Sequence, residues 1–229
     1  MKPRLLTPEL LDDLPPDDPA AQHSRRDLWR LNHLMRHRRT WTKWWRCFFP
    51  QPPALAAELG AGDARVLAAV LRDAYPAGGH GARLVLVDRS PCVAAETLDD
   101  LARAGWQVES AAADVFDWLV HAPVQDLISA NLFLHHFAQA DLARLLAACA
   151  QKCRTFLALE PRRGAMGLAA CAALPLIGCN AVTRHDARVS VEAGFTGAEL
   201  TALWPQHGWS VAEHRHFPFG HTFTARRST

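Results

Sequence analysis

Long uninterrupted apolar stretches are missing from these 229 residues. The most apolar segment, Ala165–Cys179, is short and carries Pro175, which argues against a membrane-spanning helix. No signal-peptide core forms in the first 20 residues, because Pro and Asp interrupt them, so the expected location is the cytoplasm. An excess of one charge is also missing. Lys and Arg number 25 against 23 Asp and Glu, a net charge of +2, too small to argue for nucleic acid as a partner. The six cysteines (Cys47, Cys92, Cys149, Cys153, Cys171 and Cys179) lack Cys-x-x-Cys spacing. Most fall in apolar or helical segments, so buried reduced thiols are expected in place of zinc ligands or disulfides. With 49% hydrophobic and 21% charged residues, what remains is an ordinary chain for one α/β domain with an accessory segment.

The segment Leu-Ala-Ala-Glu-Leu-Gly-Ala-Gly-Asp-Ala, Leu55 to Ala64, organises what is present. An apolar run ends in an acid, two glycines follow one residue apart, and a helix-forming stretch begins. That is a strand, a tight turn and a helix whose N-terminus faces the turn. Glycine tolerates positive φ and lets a ligand approach the backbone. A second buried strand, Arg83–Val87, ends in Asp88, an acid placed to accept hydrogen bonds from ribose hydroxyls. A dinucleotide fingerprint needs a third glycine, but position 65 is Arg65. Glu58 would also repel a pyrophosphate, whereas a carboxylate suits the ammonium and sulfonium of S-adenosylmethionine.

On Glu58-x-Gly60-x-Gly62 and Asp88 the sequence resembles the class I S-adenosylmethionine-dependent methyltransferases. Strand and helix then alternate, the signature of a parallel sheet. Strands are expected at 54–59, 83–88, 106–112, 126–131 and 154–159, with helices at 64–74, 90–104, 115–120 and 141–150. A helix from the Thr196–Glu199 capping box to about His207 precedes an antiparallel hairpin, 209–217 and 222–227. The resemblance covers residues 54–227 and implies a Rossmann-like, seven-stranded, mostly parallel sheet closed by that hairpin.

The cofactor set implied by the resemblance is Glu58, Gly60, Ala61, Gly62, Asp88, Arg89, Asp114, Val115 and Asn131. Asp114 and Val115 take the adenine position, although Asp114 reads equally well as a helix N-cap. Asn131 ends the fourth strand beside the methionine portion. His135 and His136 follow it. One of them, with His136 preferred, could take a proton from a phenol or enol; packing histidines are the plain alternative. The stretch Val182-Thr183-Arg184-His185-Asp186 resembles a substrate-side loop of the ubiquinone/menaquinone-biosynthesis-like group. There Arg184 and Asp186 would bind the acceptor and His185 would serve as a further proton acceptor, unless Arg and Asp simply pair to hold the loop. No metal is expected.

Residues 1–50 differ in composition and are read as a helical cap or substrate segment ahead of a domain at 51–229. Thr7-Pro8-Glu9 opens a short helix that stops at Pro15-Pro16. A longer one, capped by Ser24, runs from Arg25 to Phe49 with a break near 38–40. Its apolar stripe includes Trp41 and Trp45, and its other face carries eight Lys and Arg. Three roles stay open: a docked helix with a solvated basic face, a cap whose tryptophans wall an aromatic substrate, or attachment to an anionic membrane or acidic carrier protein.

The expected activity is methyl transfer to a small-molecule acceptor, free or carrier-bound, at a hydroxyl or activated carbon of an aromatic, polyketide-like or quinone-like compound. Cofactor binding without transfer, or an atypical decarboxylase or hydroxylase, is the alternative, with a nucleic-acid methyltransferase behind both. Oligomeric state is left open.

Overall fold

The computed structural model describes residues 3–15 and 17–228. Seven strands make one sheet: β1 (Leu55–Leu59), β2 (Arg83–Asp88), β3 (Gln107–Ala112), β4 (Gln125–Asn131), β5 (Cys153–Pro161), β6 (Trp209–His216) and β7 (Gly220–Arg227). Their spatial order is β3-β2-β1-β4-β5-β7-β6. The first five are parallel, and β7 enters antiparallel between β5 and β6. This is the expected Rossmann-like sheet with its closing hairpin.

Both faces of the sheet are covered, so the central strands read as nearly continuous apolar runs. One face packs Ala57, Leu59, Ile128, Ala130, Phe156 and Phe223 against helices α6 (Val115–His121), α7 (Gln139–Lys152) and α10 (Glu199–Leu203). The other packs Ala56, Leu84, Leu86, Leu127 and Leu157 against α3 (His37–Phe48), α4 (Arg65–Ala74) and α5 (Ala95–Arg103). All six cysteines are free. No helix among the described residues is long and apolar enough to cross a membrane.

The N-terminal residues form three helices, differently bounded than expected. Asp18, not Ser24, caps α2 (Pro19–Leu34), its carboxylate accepting from the amides of Ala20 and Ala21. Ser24 is buried inside α2, where its hydroxyl accepts from Thr183. The break before α3 falls at Arg36, which adopts left-handed φ of 57°. The first helix, α1 (Leu10–Asp13), is capped from a distance: Asp186 accepts from the amides of Leu10 and Leu11 at 2.8 and 3.0 Å. Of the expected Pro15-Pro16 stop, Pro16 lies outside the described residues.

Trp41 and Trp45 do not wall a substrate. They are 1% and 0% exposed and pack against the α4 side of the sheet core, Trp45 edge-on to Tyr75. An amphipathic helix with two tryptophans on one stripe buries more apolar area against a sheet than it could around a ligand. A double ion pair from Arg38 to Asp73 at 2.6 Å fastens the exposed edge of α3 to α4.

The stretch 180–190 is helical rather than a loop. It opens α9 (Ala181–Ala193), with Asn180 capping the Thr183 amide at 2.8 Å. The small-residue segment before it divides into α8 (Ala165–Ala172) and a 3-10 turn at Leu174–Ile177.

Candidate active site

Strand order reverses between β1 and β4, and in open α/β sheets ligands bind outside the carboxyl ends of the strands at such a point. The glycine turn sits there. Gly60 and Gly62 have φ of 67° and 54°, and the Gly60 and Ala61 amides donate to the Val87 carbonyl at the end of β2. A Cβ on Gly60 would lie 2.2 Å from the Phe133 ring, so only glycine fits. Asp88 ties the turn from the other side. Its Oδ2 accepts from the Gly62 amide and its Oδ1 from the Ser90 amide, both at 2.8 Å. Each carboxylate oxygen keeps a lone pair for a further donor.

A cavity of about 190 Å³ opens at this turn, bounded by Glu58, Gly60, Gly62 and Asn131 below and by Leu28, Trp29 and Asn32 of α2 above. Glu58 is 4% exposed, and its carboxyl takes a short hydrogen bond from the Ser129 hydroxyl. Burial pushes its pKa up to about 8, so at neutral pH it is largely a neutral acid. The Oδ1 of Asn131 is buried in the same wall and has no partner among the described residues. Asn131 is among the residues that line the cavity. Arg25 lines the same cavity, so its wall combines a buried carboxyl, an amide and a guanidinium, groups that can meet both ends of an amino-acid-bearing ligand. A typical small-molecule pocket is about 300–1,000 Å³, so with α2 across it this cavity is smaller than that.

The remaining residues of the expected cofactor set are spread more widely. Ala61 lines the cavity. Asp114 caps α6 through the Phe116 amide at 2.8 Å, and Val115 behind it is buried. Arg89 is exposed after β2, close enough for its charge to act on Asp12 of α1.

Sequence reasoning missed Glu160. It ends β5 fully buried and accepts from the amides of Phe133, Leu134 and His135 at 3.0, 2.8 and 3.3 Å. It also holds Nδ1 of His135 at 2.7 Å, while Nε2 lies 3.3 Å from Glu9. The carboxylate thus anchors the 3-10 turn at 134–136. A visible sign was its place: an acid ending a strand, as Glu58 and Asp88 do.

These contacts correct two expectations about proton acceptors. His135 has both ring nitrogens committed to carboxylates, which raise its pKa to about 9 against the opposing effect of burial. It carries a proton of its own and cannot take another. His185 is turned to Asp186 at 2.9 Å, and Asp186 is occupied with capping α1; none of His135, His136 and His185 is among the residues that line the glycine-turn cavity. Arg184 is exposed on the outer side of α9. His136 differs: it is 29% exposed, stands beside Phe133, and faces Asp12 at 3.6 Å.

No protein-family model and no curated protein matches the sequence. Solved structures do match in fold. The plantazolicin methyltransferase BpumL, solved with SAH, is 14% identical at a TM-score of 0.64, over 92% of this chain and 91% of that one. The magnesium protoporphyrin IX methyltransferase of Synechocystis, also with SAH, is 14% identical at 0.56, over 87% and 84%. An O-methyltransferase family protein of Burkholderia thailandensis is 17% identical at 0.57, over 87% of this chain and 57% of that one. The chain has the Rossmann-like fold that these methyltransferases share.

Proposed function

We propose that this protein binds S-adenosylmethionine at the glycine turn and methylates a small-molecule acceptor, at oxygen or at an activated ring carbon. The observation that carries this reading is the cavity at the glycine turn, lined together by Glu58, Gly60, Gly62 and Asn131, with the Glu58 carboxyl buried and the Asn131 amide oxygen unpaired among the described residues. The fold's relatives support it: BpumL was solved with desmethylPZN analogues as well as SAH. When bound, S-adenosylmethionine supplies an electrophilic methyl carbon on a sulfonium. Asp88 would hold the ribose hydroxyls, and Glu58 with the Asn131 oxygen would receive the methionine ammonium. Helix α2 would shield the site from water, and its Trp29 and Leu28 replace Trp41 and Trp45 as the apolar wall over it. We assign proton removal from the acceptor to a ring nitrogen of His136.

Binding without transfer is the second reading, and it draws on the two histidines already locked by carboxylates. Turnover separates the two. His136→Ala is expected to slow methyl transfer about 10²–10⁴-fold, the usual share of a general base, while leaving cofactor affinity within twofold. Equal rates in variant and parent would remove His136 from the reaction.

Glu58 makes the cofactor claim testable by pH. Below about 8 the free protein carries the Glu58 proton, whereas a cationic ligand favours the ionised carboxylate, so binding expels that proton. Affinity is therefore expected to rise up to about tenfold per pH unit toward 8 and then level off. Calorimetry at pH 6 and 8 should show this rise in the parent and a flatter profile in Glu58→Gln. The same slope in both would show that Glu58 does not face the ligand's charge.

A further inference from the structure

A second constellation of chemistry-bearing side chains lies at the junction of α1 with the 3-10 turn. Glu9, His135 and His136 each bring one ligand atom to a region where all three lie within 4.8 Å of one another. We propose that these three residues form a divalent transition-metal site of the zinc class.

The geometry already has the shape of a metal's inner sphere in part. A tetrahedral ion bound at about 2.0 Å spaces its ligand atoms about 3.3 Å apart, and Glu9 Oε1 stands 3.3 Å from His135 Nε2. His135 is oriented as a metal-binding histidine is. Its Nδ1 is fixed by the buried Glu160 carboxylate at 2.7 Å, which leaves Nε2 aimed at Glu9 in the carboxylate–histidine–metal arrangement. Glu9 is itself steadied by the Ser190 hydroxyl. His136 closes the set from the solvent side with a ring 4.3 Å from that of His135. Asp12, 58% exposed and 3.6 Å from His136, flanks the entrance and offers a further oxygen.

Two imidazoles and a carboxylate are the ligand types that suit zinc and its first-row neighbours rather than calcium or magnesium. The ion would take the place of the proton on His135 Nε2, which leaves to solvent. The other buried histidine–carboxylate pairs lack this convergence. Among the described residues His221 meets Glu213 without a third metal-ligating side chain, Glu213 being also bound to the Thr201 amide, and Asp186 beside His185 is committed to α1.

A bound ion would pin α1 to the turn that follows β4. In the reaction proposed above it would also withdraw a lone pair of His136 and act as an inhibitor; the binding itself does not depend on that reading. The test uses chelator-treated, full-length protein without methyl donor. Titration with Zn²⁺ by calorimetry, and with Co²⁺ by visible absorption, should show one ion per chain and the intense bands of low-coordinate cobalt. Glu9→Gln and His136→Ala should each weaken binding at least tenfold. Absence of saturable binding, or unchanged affinity in either variant, would overturn the site and leave the methyl-transfer reading untouched.

Discussion

Replacing Glu160 by alanine is expected to lower stability by about 3–5 kcal/mol, the range found when one partner of a buried ion pair is removed. The carboxylate is fully buried and satisfies three consecutive backbone amides together with the ring of His135. Without it the amides of Phe133, Leu134 and His135 lose their acceptor in a place water does not reach. The charged imidazole of His135 is left with Glu9 alone. Glu160→Gln should recover only part of the loss, because an amide presents one acceptor oxygen where the carboxylate uses two. Urea denaturation of parent and variants, compared at equal slope, measures this. A loss under about 1 kcal/mol for the alanine variant would mean that the turn finds other partners and that Glu160 does not anchor it.

The largest effect on ligand affinity is expected at Asp88. The acid does two jobs at once: it holds the Gly62 and Ser90 amides in place and leaves acceptors for a ribose. Asp88→Asn keeps an oxygen for one loop amide but loses the charge and half the acceptors. Hydrogen bonds to a charged group contribute about 1.5–3 kcal/mol, so S-adenosylmethionine should bind roughly 10- to 150-fold more weakly. Asp88→Ala should go further, since the turn loses both restraints. Unchanged affinity in Asp88→Asn would place the ribose elsewhere.

Much of the sheet was legible because its signals are local. Glu58, Gly60 and Gly62 define a strand, a turn and a helix within ten residues, and Arg83–Asp88 repeats the theme of an apolar run ending in an acid. The hairpin at 209–227 is marked by alternation and by the Pro218–Gly220 turn. What escaped depends on contacts made far along the chain. Glu160 and the amides it serves are 25 to 27 residues apart, and no period links them. Asp186 reads as a loop acid until α1, 175 residues earlier, is seen to sit on it. Trp41 and Trp45 lie on a true amphipathic stripe, but a stripe does not say whether a sheet or a ligand will cover it. The break before α3 hinges on a left-handed Arg36, a conformation its residue type does not announce. The helix at 181–193 was signalled by Asn180, whose capping role was overshadowed by the motif that follows.

Helix α2 lies across the cavity at the glycine turn, and the N-terminal residues divide between that cavity and the core. Leu28, Trp29 and Asn32 border the glycine-turn cavity, whereas α3, twelve residues long, belongs to the core. Helix α2 is itself fastened to the start of α9, where Asp27 accepts from the Asn180 amide and the Thr183 hydroxyl. A truncation that removes residues 1–50 therefore takes two fully buried tryptophans with it, and it is no clean test of a lid.

Calorimetric titration of the protein with S-adenosylmethionine, and separately with NAD, decides whether the glycine turn is a methyl-donor site. Saturable binding of S-adenosylmethionine is expected at one site per chain, tighter at pH 8 than at pH 6, with no binding of NAD. Binding of NAD alone, or of neither, would contradict that reading and leave the glycine turn as scaffold.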